Sequence, residues 1–287
     1  MILVTGANGQ LGRHIVSQLV LRLGGTDGLA VSVRDAARAQ DLAGRGIAVR
    51  HGDFDQPHTL AQAFAGIAKL VLVSTDGPAP VRIAQHGAAI AAARAAGVEH
   101  ILYTSFIDVA ADSPSEFAAV HRATEAMLRD SGVQITLLRN TLYADLLPLA
   151  VGAAARGGSF SLPAGEGRTG FVSRGELAEA IAAAAAAPAL AKDTYELTAQ
   201  VTHDFHEVAA AVSQATGKAV HYQLVPQDDY ARTLQGQGLP PWLAQAMAGL
   251  YAAVAAGKCN RVSNDFAALV GHPPRPLACL AQELFAA

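Results

Sequence analysis

The residues best suited to chemistry lie at the ends of short apolar runs. Gly6, Gly9 and Gly12 form a G-x-x-G-x-x-G spacing in "TGANGQLG". Between a strand and a helix, such spacing allows a tight turn, close approach of a pyrophosphate, and close helix packing, in that order. Gly6, Ala7, Asn8, Gly9, Gln10, Leu11 and Gly12 are therefore candidate dinucleotide contacts, with the helix N-terminus facing the phosphates. A plain Gly-rich turn is the alternative. Where an NAD site carries an acid at the end of its second strand, "VSVRD" carries Arg34, followed by Asp35. An arginine there suits the 2′-phosphate of NADPH, with NADH the weaker ligand; otherwise Arg34 is a solvated charge. In "HGDFD", Asp53 could accept from an adenine amino group and Phe54 could cover the ring, or Asp53 or Asp55 could cap the next helix. Ser74, Thr75 and Asp76 in "STDG" end another apolar run and should pass the ribose and phosphates of a bound cofactor.

Positioning such residues requires a sheet. "ILVT", "LAVSV", "IAVRHGDF", "KLVLVS", "HILYTS" and "QITLLRN" read as strands. Between them run helical patterns such as Leu11, Ile15, Leu19 and Leu23 at i, i+4 spacing. This βα rhythm predicts an α/β fold, a Rossmann-type doubly wound parallel sheet. After Asn140 the rhythm weakens into Gly/Pro loops, Ala-rich helices and one strand, "TYELT". The expected division is a dinucleotide domain over 1–143 and a smaller C-terminal α/β substrate lobe over 144–287. Part of the latter, around 171–200, should return to the sheet. Trp242, Tyr230 and Tyr251 belong either to the lobe's core or to a lid.

Composition narrows the function classes. The 287-residue chain is 51% hydrophobic and 16% charged, which argues against disorder, and its formal net charge of -3 predicts neither nucleic-acid nor anionic-lipid partners. With two cysteines, Cys259 and Cys279, and no His/Cys spacing of a zinc site, a reduced cytoplasmic protein without metal is expected. No targeting segment is read. The most apolar run, "AEAIAAAAAAPALA", is shorter than the ~20 residues that span a bilayer, so no membrane insertion is expected.

"TGANGQLG", "VRDAARAQDLAGRGIAVRHGDFDQP", "AQHGAAIAAARAAGVEHILYTS", "TLLRNTLY" and "LVGHPPRPLACLAQELF" resemble, in order and almost end to end, the NmrA-like branch of the atypical short-chain dehydrogenase/reductases. Within it the resemblance is to bacterial quinone and dye reductases. Standard short-chain enzymes carry a Ser after the fifth strand and a Tyr-x-x-x-Lys dyad on the following helix. Ser105 matches the Ser, but His121 and Glu125 occupy the dyad spacing. His121 is thus either a catalytic candidate or a helix-surface histidine.

The missing dyad constrains the chemistry. Hydride delivery to a ketone leaves an alkoxide about as basic as hydroxide, water's pKa being ~15.7, and needs a positioned acid. Delivery to a quinone leaves a phenolate, whose acid has a pKa of about 10, so solvent can protonate it. A quinone or similar conjugated acceptor is the expected small-molecule partner. The resemblance implies that Arg139, Asn140, Thr141, Leu142 and Tyr143 run along the nicotinamide. Asn140 would bond the carboxamide or an acceptor oxygen, and Tyr143 would stack on the acceptor; both could instead be structural. It also places Arg174 at the edge of the cofactor cleft, unless that residue is a solvated charge. The continuation "ADLLPLA" is less polar than in the related enzymes. A non-catalytic NADP(H)-binding sensor of the NmrA type is the competing class.

Overall fold

The structure is a computed structural model and describes residues 1–286. Its contacts divide the chain into two units. The first comprises Met1–Ser105, Val120–Arg139 and Arg174–Tyr195; the second comprises Phe106–Ala119, Asn140–Ser173 and the chain from Glu196 onward. Besides the expected division after Tyr143 and the expected return around 171–200, the chain also crosses between units at either end of Phe106–Ala119. The reason is local: β5, β6 and β10 each hand the chain over at or near their carboxyl ends.

As far as Asn140 the elements are β1 (Ile2–Thr5), α1 (Gln10–Leu23), β2 (Leu29–Val33), α2 (Gln40–Gly44) and β3 (Ala48–His51). They continue with α3 (Leu60–Phe64), β4 (Lys69–Leu72), α4 (Ala79–Ala95), β5 (His100–Phe106), α5 (Glu116–Asp130) and β6 (Gln134–Asn140). Next come β7 (Leu142–Tyr143), α6 (Leu147–Val151), β8 (Gly158–Leu162), β9 (Phe171–Val172), α7 (Arg174–Ala186) and β10 (Thr194–Leu197). The last are α8 (Phe205–Thr216), β11 (Val220–Leu224), α9 (Gln227–Gly236), α10 (Pro241–Ala255), α11 (Asp265–Val270) and α12 (Leu277–Phe285).

A seven-stranded sheet runs in the order β10-β6-β5-β4-β1-β2-β3. Its β3–β2, β2–β1, β1–β4 and β4–β5 pairs are parallel. The doubly wound Rossmann-type architecture is thus as the βα rhythm predicts, and "TYELT" supplies the edge strand β10. The strand order reverses between β1 and β4, the topological switch point where such sheets open a crevice. There the β1–β4 register runs only to Val4 opposite Val71, whereas β1–β2 continues to Thr5 opposite Ser32. Leu3, Val4, Leu70, Val71 and Leu72 are fully buried, which is why these strands read as unbroken apolar runs.

Two helices illustrate how the sequence meets this sheet. Along α1, Leu11, Ile15 and Leu19 are buried, but Leu23 is 39% exposed, so the buried stripe ends one turn before the helix does. α7, from the Ala-rich run, is buried on nearly every side and packs along α1. A helix apolar all round belongs in a core, and alanine permits that close packing. No helix among the described residues is long and apolar enough to cross a membrane.

The second unit contains strands the sequence does not announce. β8 pairs in parallel with β11, from Gly158 opposite Val220 to Leu162 opposite Leu224, and β7 pairs with β9. Each is short, and the partners in the longer pair lie about sixty residues apart in the chain, so no local turn signal marks them. Around them an aromatic cluster of Phe160, Phe171, Phe205, Tyr222 and Tyr251 forms the core. Tyr230 packs edge-on to Tyr251 with centroids 5.7 Å apart, so both are core residues and not a lid; Trp242 is half-buried on α10.

Gly6 adopts the left-handed region (φ 62), and its carbonyl accepts from Gly9 N at 2.9 Å. A Cβ on Gly12 would lie 2.3 Å from the Gly6 oxygen and 3.0 Å from Ala7 Cα, both backbone atoms that cannot swing aside. Gly12→Ala should therefore push α1 off the turn and cost about 1–3 kcal/mol in urea denaturation. Gly9→Ala should be far milder, its Cβ meeting only the Gly6 oxygen at 3.2 Å. Equal stability of the two variants would show that the helix does not depend on this contact.

Candidate active site

The glycine turn and the end of β2 lie together in the first unit. Gly9 is the N-cap of α1 and offers no side-chain cap, which leaves the first-turn N–H groups available to an anion. Asn8 Nδ2 donates to the Asp35 carbonyl at 2.9 Å and ties the turn to the segment after β2. Asp35 itself accepts from Ala37 N at 3.0 Å and caps a short 3-10 helix, so its carboxylate has a structural task. Arg13, on α1, grips the same segment through the Arg38 carbonyl at 2.9 Å and Asp41 at 2.5 Å. Arg34 projects beside this framework, exposed, with no hydrogen bond or ion pair among the described residues. A free guanidinium beside a glycine turn with an open helix terminus fits a dinucleotide carrying a 2′-phosphate.

Asp53 is buried in its own turn. Its carboxylate accepts from Asp55 N at 3.0 Å and from Gln56 Nε2 at 3.2 Å. These bonds close the turn after β3 and do not cap a helix: the 3-10 helix that follows starts from Gln56 as its N-cap, without a side-chain cap. Phe54 packs half-buried on the core of the unit.

The hydroxyls of "STDG" also face inward. Ser74 Oγ accepts from Arg82 Nη2 at 2.8 Å, and Thr75 Oγ1 lies 3.1 Å from His86 Nε2. Asp76 is exposed and accepts from Gly77 N. Both hydroxyls are thus engaged by side chains of α4.

His121 is not on the helix surface; it is 7% exposed and joins a buried network. Its Nδ1 lies 2.8 Å from the Tyr103 hydroxyl and its Nε2 3.5 Å from Arg82. Arginine can only donate, so Nε2 is the acceptor and Nδ1 carries the proton. Burial first, then the charge of Arg82, holds the His121 pKa well below its ordinary value. Burial also pushes the Tyr103 hydroxyl up to about 12. A neutral imidazole locked between tyrosine and arginine is no general acid at neutral pH.

Glu125, the other dyad position, is likewise committed. Its carboxylate accepts from Ser105 Oγ at 2.7 Å, from Arg139 at 2.9 and 2.7 Å, and from Arg129 at 2.9 Å. Ser105 and Arg139, expected at the cofactor, are turned to this buried carboxylate instead. An ion in the core must be paired and hydrogen-bonded, and these are the partners within reach.

In the second unit Asn140, 1% exposed, closes β6. Its Nδ2 donates to the Tyr143 hydroxyl at 3.3 Å, while its buried Oδ1 has no hydrogen-bond partner. Thr141 is structural: its amide donates to the Leu197 carbonyl and its hydroxyl to the Gly170 carbonyl. Leu142 and Tyr143 form β7. In the first unit Arg174 is the half-buried first residue of α7. Among the described residues no cluster of His, Cys, Asp or Glu is suited to a metal.

Together these features define a dinucleotide-type α/β protein whose short-chain catalytic dyad is replaced by buried structural groups. Residues 1–266 match the model of the NmrA-like family, and the chain belongs to that family. It is 36% identical over 285 residues to quinone oxidoreductase 2 of Escherichia coli, covering 99% of each chain. The crystal structure of an E. coli NADPH-dependent quinone oxidoreductase complexed with NADPH superposes with a TM-score of 0.93 at 35% identity, over 99% of this chain and 100% of that one. Triphenylmethane reductase of Citrobacter sp., complexed with NADP(H), gives 0.92 at 35% identity over the same shares.

What sequence reasoning missed is the layer behind these residues: Thr5, Arg82, His86, Thr104 and the Arg13–Asp41 pair. The available signal was Arg82 and His86 at i, i+4 on the helix that follows "STDG".

Glu125 generates a pH prediction. Burial raises its pKa, but hydrogen bonds from Arg139 and Ser105 outweigh burial and leave it below the usual value of 4.5. Its contribution to stability is therefore complete above about pH 4.5 and fades as pH falls through the lower folded value. At pH 7, Glu125→Gln should lose about 3 kcal/mol in urea denaturation, because the buried carboxylate's charge-assisted bonds to Arg139 and Arg129 are broken. The gap to wild type should narrow below pH 4; a gap independent of pH would remove the carboxylate from this role.

Proposed function

We propose that this protein is an NADPH-dependent oxidoreductase that passes hydride directly to a quinone or similar conjugated acceptor, without flavin or metal. The first unit is assigned to the dinucleotide and the second to the acceptor. The observation that carries the reading is the commitment of both dyad positions, His121 and Glu125, to buried contacts. A site built this way has no side chain at those positions to protonate an alkoxide. It suits acceptors whose reduced form is a weak base that water can protonate. The likeness to quinone oxidoreductase 2 and to triphenylmethane reductase supports the same choice.

The chain's own residues would act by binding and orientation. Gly6–Gly12 and the open terminus of α1 receive the pyrophosphate, and Arg34 pairs with the 2′-phosphate. When bound, the reduced nicotinamide supplies the hydride. Asn140, through its unpaired Oδ1, is the acceptor assigned to an amide donor of the bound reactants, and its Nδ2 orients Tyr143. Holding two rings in register accounts for rate without a protein acid. Cytoplasmic residence is part of this proposal, in keeping with the two unpaired cysteines, Cys259 and Cys279.

Arg34→Ala should weaken NADPH binding roughly ten- to a hundred-fold, the worth of a charge-assisted hydrogen bond of about 1.5–3 kcal/mol, and leave NADH nearly unchanged. Fluorescence titration with both cofactors reads this directly; equal losses would remove the 2′-phosphate role.

Consumption of NADPH, followed by absorbance against benzoquinones, naphthoquinones and cationic dyes, tests the activity itself. Turnover should be seen with the metal-free, flavin-free protein, and Asn140→Ala should lower it. Tight NADPH binding with no acceptor turned over would point to the sensor class instead.

A further inference from the structure

Three successive amides follow β4, and none returns to the ladder. Val73 N donates to Thr5 Oγ1 at 2.9 Å, Ser74 N to Thr104 Oγ1 at 2.9 Å, and Thr75 N to His86 Nε2 at 3.0 Å. Thr5 ends β1 and Thr104 lies on β5, so side chains from both neighbouring strands take the amides as β4 leaves the sheet. The third acceptor comes from α4. Thr5, Thr104 and His86 are 1%, 2% and 0% exposed.

The protonation state of His86 follows from its partners. A backbone N–H must donate, so Nε2 presents its lone pair to Thr75. Nδ1 then carries the proton and donates to Thr124 Oγ1 at 2.8 Å, whose hydroxyl donates onward to the Val120 carbonyl at 2.9 Å. Burial, then the charge of Arg82, lowers the His86 pKa to about 3 and keeps the ring neutral. One turn earlier on α4, Arg82 holds the Ser74 hydroxyl at 2.8 Å.

We infer that His86 is a positioning residue for the dinucleotide: as a neutral acceptor it holds the Ser74–Asp76 backbone away from the β1–β4 ladder and so keeps the switch-point crevice open for the cofactor. This rests on the NADPH reading above. His86 lies beneath the loop, is fully buried, and acts only through it. Its loss should affect NADPH and NADH alike, unlike that of Arg34, because both cofactors share the crevice.

The test compares His86→Gln, which retains an acceptor and a donor, with His86→Leu, which has neither. Leu should raise the Kd of NADPH and of NADH by about tenfold, the cost of an orphaned buried amide. The loss should appear in KM for NADPH more than in kcat, and Gln should recover most of it. Hydrogen exchange of the ligand-free protein should show the Thr75 amide protected in wild type and Gln but not in Leu. Thr104→Val serves the same purpose at Ser74 should His86→Leu fail to fold. Wild-type affinity in a folded Leu variant, or an equal loss in Gln and Leu, would overturn the inference while NADPH binding by wild type stands. Wild-type protein that does not bind NADPH would overturn the function reading and this one with it.

Discussion

A backbone amide that leaves a sheet ladder must find another acceptor, and the first unit is arranged around that requirement at one place. At the switch point β1 and β4 are hydrogen-bonded only as far as Val4 and Val71. Beyond it, Thr5, Thr104 and His86 accept the amides that the ladder has released. These three acceptors let β4 end while the chain continues in a defined path. Without them the choice would be a closed sheet, with no crevice, or a buried segment with orphan donors. The glycine turn lies at the carboxyl end of β1, and its geometry is useful only if that crevice stays open.

The same logic of satisfied polar groups explains where the short-chain dyad went. Glu125 stands in the core, and a buried carboxylate is tolerable only with its partners in place. Ser105 from β5, Arg139 from β6 and Arg129 from α5 itself converge on it, so one anion joins two strands and a helix. One helical turn away, His121 is held between Tyr103 and Arg82. The helix that would carry a proton donor is thus given over to holding the sheet together. The chemistry open to such a protein is that of acceptors which need orientation more than acid.

How much of this was legible from the residues alone differs by element. Local patterns sufficed for the glycine turn, the βα alternation, Arg34 as an exposed cation and the missing Tyr-x-x-x-Lys pair, because each depends on residues a few positions apart. That "TYELT" forms a strand was also readable, from its β-branched and aromatic character. The β8–β11 pair was not: its strands are brief, polar on one side, and joined only by the fold.

Side-chain partners mark the same boundary more sharply. The family resemblance nominates Ser105, Arg139 and His121, and a strand end nominates Asp53, as groups able to do chemistry. Which of them is free to act depends on what stands opposite. Glu125 lies twenty residues from Ser105 and fourteen from Arg139, and Arg82 thirty-nine from His121. Sequence therefore determined the class of fold, since turns and periodicity are short-range properties of the chain. Tertiary structure alone decided which polar groups remain available, because hydrogen-bond valence in a core is spent on whichever partners folding brings within three ångströms or so.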